Sequence, residues 1–165
     1  MNEVMTAEIL NRMVAFSNGN PHDIAHFMKV WGFARSIGVL EGFSDEEQLI
    51  LEVAAITHDI ACPLCREKYG NTNGDLQEKE GALLVLDFLR DSGLSPAQIE
   101  RVSFLVGHHH TLTDINGRDY HVLVEADYIV NAEEYGFSAE SIRNACARFF
   151  RTASGTNLLK SMFRL

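Results

Sequence analysis

Apolar residues recur along most of this chain at intervals of three and four, the spacing that gives a helix one buried stripe. Thr6 is placed to cap a first helix running to about Phe16, and residues 17–21 then read as a turn. Asn20 caps a second helix, with Pro21 at its first position. That helix carries Ile24, Phe27, Val30, Trp31 and Ala34 on one side and ends near Gly38. Ser44 and Glu47 have the spacing of a capping box for a third helix. Leu49, Ile50, Leu51, Val53, Ala54, Ala55 and Ile56 leave that helix almost no polar face, which predicts burial at the centre of the domain. It runs into His58-Asp59 and stops by Pro63.

Residues 69–75 read as a loop, and Leu83, Leu84, Leu86, Phe88 and Leu89 mark a fourth helix ending at Gly93. Ser95 and Gln98 form another capping box, opening a helix toward His108. Residues 114–117 read as a turn, a long helix covers about 119–135, and Ser138 caps another through about Arg151. Ser154-Gly155 breaks that pattern ahead of a short amphipathic tail. No strand alternation, internal repeat or linker interrupts the series. The expectation is a single all-α domain over residues 1–165, with helices from 138 onward packed on the preceding ones.

Composition narrows what such a bundle can do. The 165 residues suit one domain, and the 46% of hydrophobic residues suffice for a core. A net charge of −9 opposes binding to a nucleic-acid backbone, but leaves room for a small phosphate ligand if a metal supplies positive charge locally. The first residues carry neither a basic stretch nor an apolar core, so no signal peptide is expected. No apolar run approaches the roughly 20 residues of a bilayer span. Three cysteines, an odd number without scaffold spacing, suggest a reduced, cytoplasmic setting.

The informative residues are titratable groups on apolar stripes. His58 follows Leu51 and Ala54 at helical spacing, and Asp59 follows Ala55 and Ile56. His26 lies among Ile24, Phe27 and Val30. Asp127 falls four residues after Leu123 and three before Val130. Singly, each has an ordinary explanation as a hydrogen-bonded core residue. Together they are two carboxylates and two imidazoles, and a buried carboxylate is costly unless paired or metal-bound. One divalent cation would satisfy all four.

The order His26, then His58-Asp59, then Asp127 resembles the H…HD…D signature of the HD superfamily over roughly residues 20–135. Ala54-Ala55-Ile56-Thr57-His58-Asp59 looks like its central ligand helix, and Glu125-Ala126-Asp127 like its final one. The resemblance implies a helical bundle around a central metal, and hydrolysis of a phosphate ester by metal-activated water. Mixed His/Asp ligation suits Mn, Fe, Co, Ni or Zn, one per chain. Asp59 is then both ligand and catalytic. His109 and His110 resemble the family's paired histidines, with roles in catalysis and in holding phosphate, the protonated imidazole serving as donor. Glu78 is a candidate base, and Lys68 a candidate phosphate contact. His22-Asp23 is read as a decoy at a helix start.

Two positions depart from the family pattern. Cys62 stands where many members carry Lys or Glu, and Gln77 where two-metal members carry a further His. The leading expectation is a phosphohydrolase of a small metabolite, most naturally a nucleotide, with a homodimer allowed and no nucleic-acid or membrane partner. The alternatives are a catalytically weak or inactive HD module that binds metal, ligand or a protein, and thiol-redox chemistry at Cys62 and Cys65.

Overall fold

Ser44 and Ser95 close reciprocal capping boxes with Glu47 and Gln98: each hydroxyl accepts from the N–H three residues on, and each longer side chain accepts from the serine N–H. Asn20 and Ser138 cap two further helices by accepting from the N–H groups of Asp23 and Ser141. In the computed structural model, which describes residues 2–165, the described residues form α1 (Asn2–Phe16), α2 (Pro21–Leu40), α3 (Asp45–Thr57), α4 (Cys62–Tyr69), α5 (Gly74–Leu89), α6 (Pro96–Val106), α7 (Arg118–Glu134), α8 (Ala139–Phe149) and α9 (Ala153–Phe163). No strand occurs among them.

α3 is the hub. Leu51 and the run from Val53 to Ile56 have no solvent exposure, and the helix packs against α1, α2, α6 and α7. The stretch from Asp45 to Tyr69 is apolar enough, by length and composition, to pass for a bilayer crossing. Its most apolar window is 72% buried inside the molecule, as expected of the central helix of a bundle. α2 and α7 pack on each other and on α3, the α5–α6 hairpin covers another side, and α4 lies on α5. α8 and α9 close over α7.

Several boundaries differ from the sequence reading, each for a local reason. Thr6 is buried inside α1, which already runs from Asn2, so it caps nothing. α2 continues past Gly38 to Leu40, and the fourth predicted helix stops at Leu89, short of Gly93. α3 stops at Thr57, within the expected bound, and Pro63 belongs to the next helix. It sits in the first turn of α4, where its missing N–H has no partner to lose. The predicted loop at 69–75 shrinks accordingly, because α4 reaches Tyr69 and α5 starts at Gly74. The C-terminal break falls at residues 150–152. Thr152 caps α9 by accepting from Gly155 N–H, which places Ser154 and Gly155 inside the first turn.

Candidate metal centre

Between α3 and α4 the backbone tightens. Ile60 N–H donates to Thr57 O and Cys62 N–H to Asp59 O, three-residue bonds in place of four-residue ones. This turn lets two consecutive side chains, His58 and Asp59, face one centre. α2 brings His26 to the same point, and α7 brings Asp127.

His26, His58 and Asp59 offer ligand atoms within 4.8 Å of one another, and Asp127 Oδ1 approaches both imidazoles. His26 Nε2 lies 3.2 Å from His58 Nε2, 3.2 Å from Asp127 Oδ1 and 3.4 Å from Asp59 Oδ2. His58 Nε2 lies 3.4 Å from both Asp59 Oδ2 and Asp127 Oδ1. Ligands about 2.0–2.2 Å from a divalent metal stand roughly 3.0–3.5 Å from one another, the edge of a tetrahedron or octahedron. The observed spacings have that length.

The tautomers make the fit sharper. His58 Nδ1 donates to Ala55 O at 2.8 Å, and His26 Nδ1 donates to Glu134 Oε2 at 2.9 Å. Both Nε2 atoms therefore turn a lone pair toward each other and toward two carboxylates, an arrangement that needs a proton or a cation between them. Burial works against charge on His26, but its bond to Asp127 and the charges of Asp59 and Asp127 raise its pKa to about 9. Burial likewise opposes charge on the two aspartates. Nearby His58 outweighs it at Asp59, bonds from His26 and His58 outweigh it at Asp127, and both carboxyls lie below their usual range. The cluster suits a divalent cation chemically as well as geometrically.

A second grouping adjoins it. Asp59 Oδ1 lies 3.4 Å from His109 Nε2, and Asp59, His109 and His110 offer ligand atoms within 4.8 Å of one another. His109 Nδ1 donates to Val106 O, leaving its Nε2 fully buried without a hydrogen-bond partner among the described residues. Gln77 Oε1 is also buried and unpartnered, its amide N–H being spent on Thr72 O.

The centre opens into a cavity of about 220 Å³ that also reaches His22, Asp23, Cys62, Arg66 and Tyr135. Arg66 is held by a two-pronged ion pair with Asp23 at 2.6 and 2.7 Å. A larger cavity, about 530 Å³, lies elsewhere, between α1, α2 and the start of α3. It contains no histidine, and its Glu52 is already satisfied by Trp31, Arg35 and Gln48, so it offers no comparable chemistry.

The histidine run divides as helix geometry demands. His109 faces the centre and is 2% exposed. His110 sits at the cavity mouth, its packed side against His109 and Gly74. His108 turns away, stacking on Phe104. Desolvation and neighbouring His109 push His110 down to about 4, so it is neutral at pH 7, contrary to the expected protonated phosphate donor.

Other expectations fail on direction. Lys68 binds Glu80 at 2.7 Å and lies over the Tyr69 ring, outside the cavity. Glu78 accepts from His110 N–H and the Thr111 hydroxyl, pinning the turn after α6 rather than facing the centre. Cys62 and Cys65 are buried, and burial raises both thiols, which disfavours the nucleophilic thiolate. His22 is not a ligand but does line the cavity, one turn before His26.

Sequence reasoning missed Glu134, which orients His26 and also binds Lys29 at 2.8 Å. Its spacing of seven from Asp127, two helical turns on the same face, is a signal that could have found it. It missed Asn131 as well, four residues after Asp127 and lining the cavity.

A family model described as HD domain matches residues 23–147, well over half of the chain. No curated protein matches at the sequence level. Among solved structures, the chain is similar to a predicted HD superfamily hydrolase from an uncultured Thermotogales bacterium, with 22% identity and a TM-score of 0.70. That match covers 96% of this chain and 84% of the other, and it shows a common fold.

Proposed function

The chain belongs to the HD domain family, and on that premise we propose that it is a metal-dependent phosphohydrolase acting on a small phosphorylated metabolite, a nucleotide being the substrate that fits best. The observation that carries this reading is the approach of the His26 and His58 Nε2 atoms to each other and to Asp59 Oδ2 and Asp127 Oδ1, at 3.2–3.4 Å, in a cavity open to solvent. These four residues would hold one divalent transition metal, of Mn, Fe, Co, Ni or Zn type. Such an ion supplies Lewis acidity and brings the pKa of water toward neutrality.

The chain's own groups divide the remaining work. Glu134 and the Ala55 carbonyl fix the two imidazoles by their Nδ1 protons. Arg66, aligned by Asp23, is the guanidinium best placed for a phosphate oxygen. Neutral His110 at the mouth offers a hydrogen-bond acceptor rather than a charge. Cys62 brings no charge to the cavity wall.

A second reading has a further cation against Asp59 Oδ1, His109 and His110, favoured by the convergence of those atoms and the unpartnered His109 Nε2. A catalytically inactive metal-binding module is the other alternative. Elemental analysis of the purified protein, followed by a phosphate-ester panel with Mn, Co, Fe and Mg, separates the three. We expect about one metal per chain, and turnover that Asp59→Ala and Asp127→Ala abolish together with metal content. Two metals at full occupancy would establish the second reading, and metal without turnover the inactive module.

A further inference from the structure

Away from the metal centre, the cavity of about 530 Å³ between α1, α2 and the start of α3 has a companion of about 420 Å³, and the two share Glu3, Thr6 and Arg35. Both volumes fall within the roughly 300–1,000 Å³ of small-molecule sites. The first lobe is polar, with Asp45, Gln48 and Glu52 in its wall. The second is apolar, walled by Leu10, Met28 and Trp31.

The hydrogen-bond inventory of the polar lobe is one-sided. Apart from the Thr6 hydroxyl, its side-chain donors are engaged. Arg35 Nη1 donates to both Glu52 oxygens, at 2.9 and 3.1 Å, and Arg35 Nη2 donates to Glu3 at 3.4 Å. Gln48 Nε2 donates to Arg35 O and to Glu52, Trp31 Nε1 donates to Glu52, and Asn2 Nδ2 donates to Asp45 O. The acceptors are less well served. Gln48 Oε1 is buried without a partner, and the Asp45 carboxylate makes no hydrogen bond among the described residues. Thr6 is only 4% exposed and lines both lobes, yet its hydroxyl makes no hydrogen bond among the described residues. A buried hydroxyl without a partner is costly unless a ligand or water completes it. Glu3, Asp45 and Glu52 stand against one guanidinium, so the wall is net anionic.

That balance disfavours an anion, and a wholly apolar molecule would leave Thr6 unmet. The two lobes together call for a charged hydrogen-bond donor at one end of a ligand and an apolar body at the other. We propose that this cavity is a second ligand site, separate from the metal centre, and that it binds a small organic amine, with the ammonium among Thr6 and Asp45 and the apolar body along Trp31, Leu10 and Met28. Its polar wall stands on α2 and α3, the helices that carry His26 and His58, so both sites share one frame. The site stands whether or not a phosphate ester is cleaved at the metal centre.

Trp31 is the chain's single tryptophan and lies in the apolar lobe, so its fluorescence reports on this cavity directly. The purified protein is titrated with phenethylamine, phenethyl alcohol and phenylpropionate, which share a ring and differ in the charge of the head. We expect a saturable change with the amine, binding about tenfold or more weaker for the alcohol, and none for the carboxylate, since a hydrogen bond from a charged group is worth at least that factor. Thr6→Val/Asp45→Asn should weaken the amine about tenfold or more. The first change is isosteric and the second is at an exposed position, so the melting temperature should hold. Ala7→Phe, which fills the apolar lobe from an exposed position, should abolish the response. Chelator-treated and Zn-loaded protein should bind the amine equally. Equal response to all three probes, no response to the amine, or amine binding unchanged in both variants overturns the site. Displacement of the amine by Zn would place it at the carboxylates of the metal centre and overturn the proposal as well.

Discussion

Glu134 has no ligand atom to give the metal centre, yet the centre's geometry depends on it. Its carboxylate takes the Nδ1 proton of His26 and the ammonium of Lys29, so the His26 ring has one orientation and one tautomer. Partners of this kind are typically worth 10–100-fold in metal affinity. Glu134→Ala should therefore weaken metal binding by about that factor in a chelator competition. Lys68→Ala should leave KM within about twofold of wild type, because the ammonium is paired with Glu80 on the far side of Tyr69. The contrast shows where residue roles were legible. Asp127, His26 and His58 betray themselves in the sequence as polar groups on apolar stripes. Lys68 and Glu78 lie near the site along the chain, but proximity in sequence carries no direction, and each is turned aside by a partner that only the folded chain supplies.

Elements were legible where capping chemistry is local, as at Asn20, Ser44, Ser95 and Ser138, and obscure where a tertiary partner decides. α9 is the clearest instance. Its entry is set by Glu125, which is fully buried on α7 and accepts from the N–H groups of Arg151 and Thr152 at 2.6 and 3.0 Å and from the Thr152 hydroxyl. Gly155 presses against the same carboxylate, with no space for a Cβ. No spacing rule could have joined residues 125 and 152, so the serine and glycine next along were read as the break. Glu125→Ala would leave the partly buried N–H groups of Arg151 and Thr152 without their acceptor. Each such loss costs about 1–3 kcal/mol, so urea unfolding should show a destabilisation of roughly 2–6 kcal/mol. Gly155→Ala should destabilise in the same direction, since the carboxylate must move to admit the methyl. Both variants should keep their metal, because α9 lies behind α7 and not in the cavity. Metal loss in either would mean that α7 is positioned by this clamp rather than by its packing on α2 and α3.

At the scale of the molecule, metal binding, protonation and stability are one linked equilibrium. Without metal, the central lone pairs are reconciled by a proton on His26, whose pKa rises from 6.5 to about 9. A group raised on folding stabilises below its unfolded pKa, and that contribution fades as pH rises through the folded value. For His26 it is fully present below about pH 6.5 and gone above about pH 9. A shift of that size corresponds to an upper bound of roughly 3 kcal/mol. Asp59 and Asp127 are lowered on folding, so their contribution is full above the ordinary carboxylate range and is lost as pH falls from there through the lowered folded values. Metal-free protein should thus be most stable between about pH 4 and 6.5 and weaken toward pH 9. Loaded protein should not share the alkaline decline, because the His26 lone pair is then committed to the ion. Below pH 9 the ion must displace one proton, so apparent affinity should fall by up to about tenfold per pH unit on acidification. These statements meet in one measurement, the melting temperature with and without saturating Mn or Zn from pH 6 to pH 9. The gap between the two curves should widen toward pH 9 by several degrees, at about 2–4 °C per kcal/mol for a chain of this length. The widening should vanish in Asp127→Asn, which removes both the charge that holds the proton and a ligand that holds the metal. A gap that stays constant with pH would mean that His26 is neutral in the metal-free protein and that the centre carries its negative charge uncompensated.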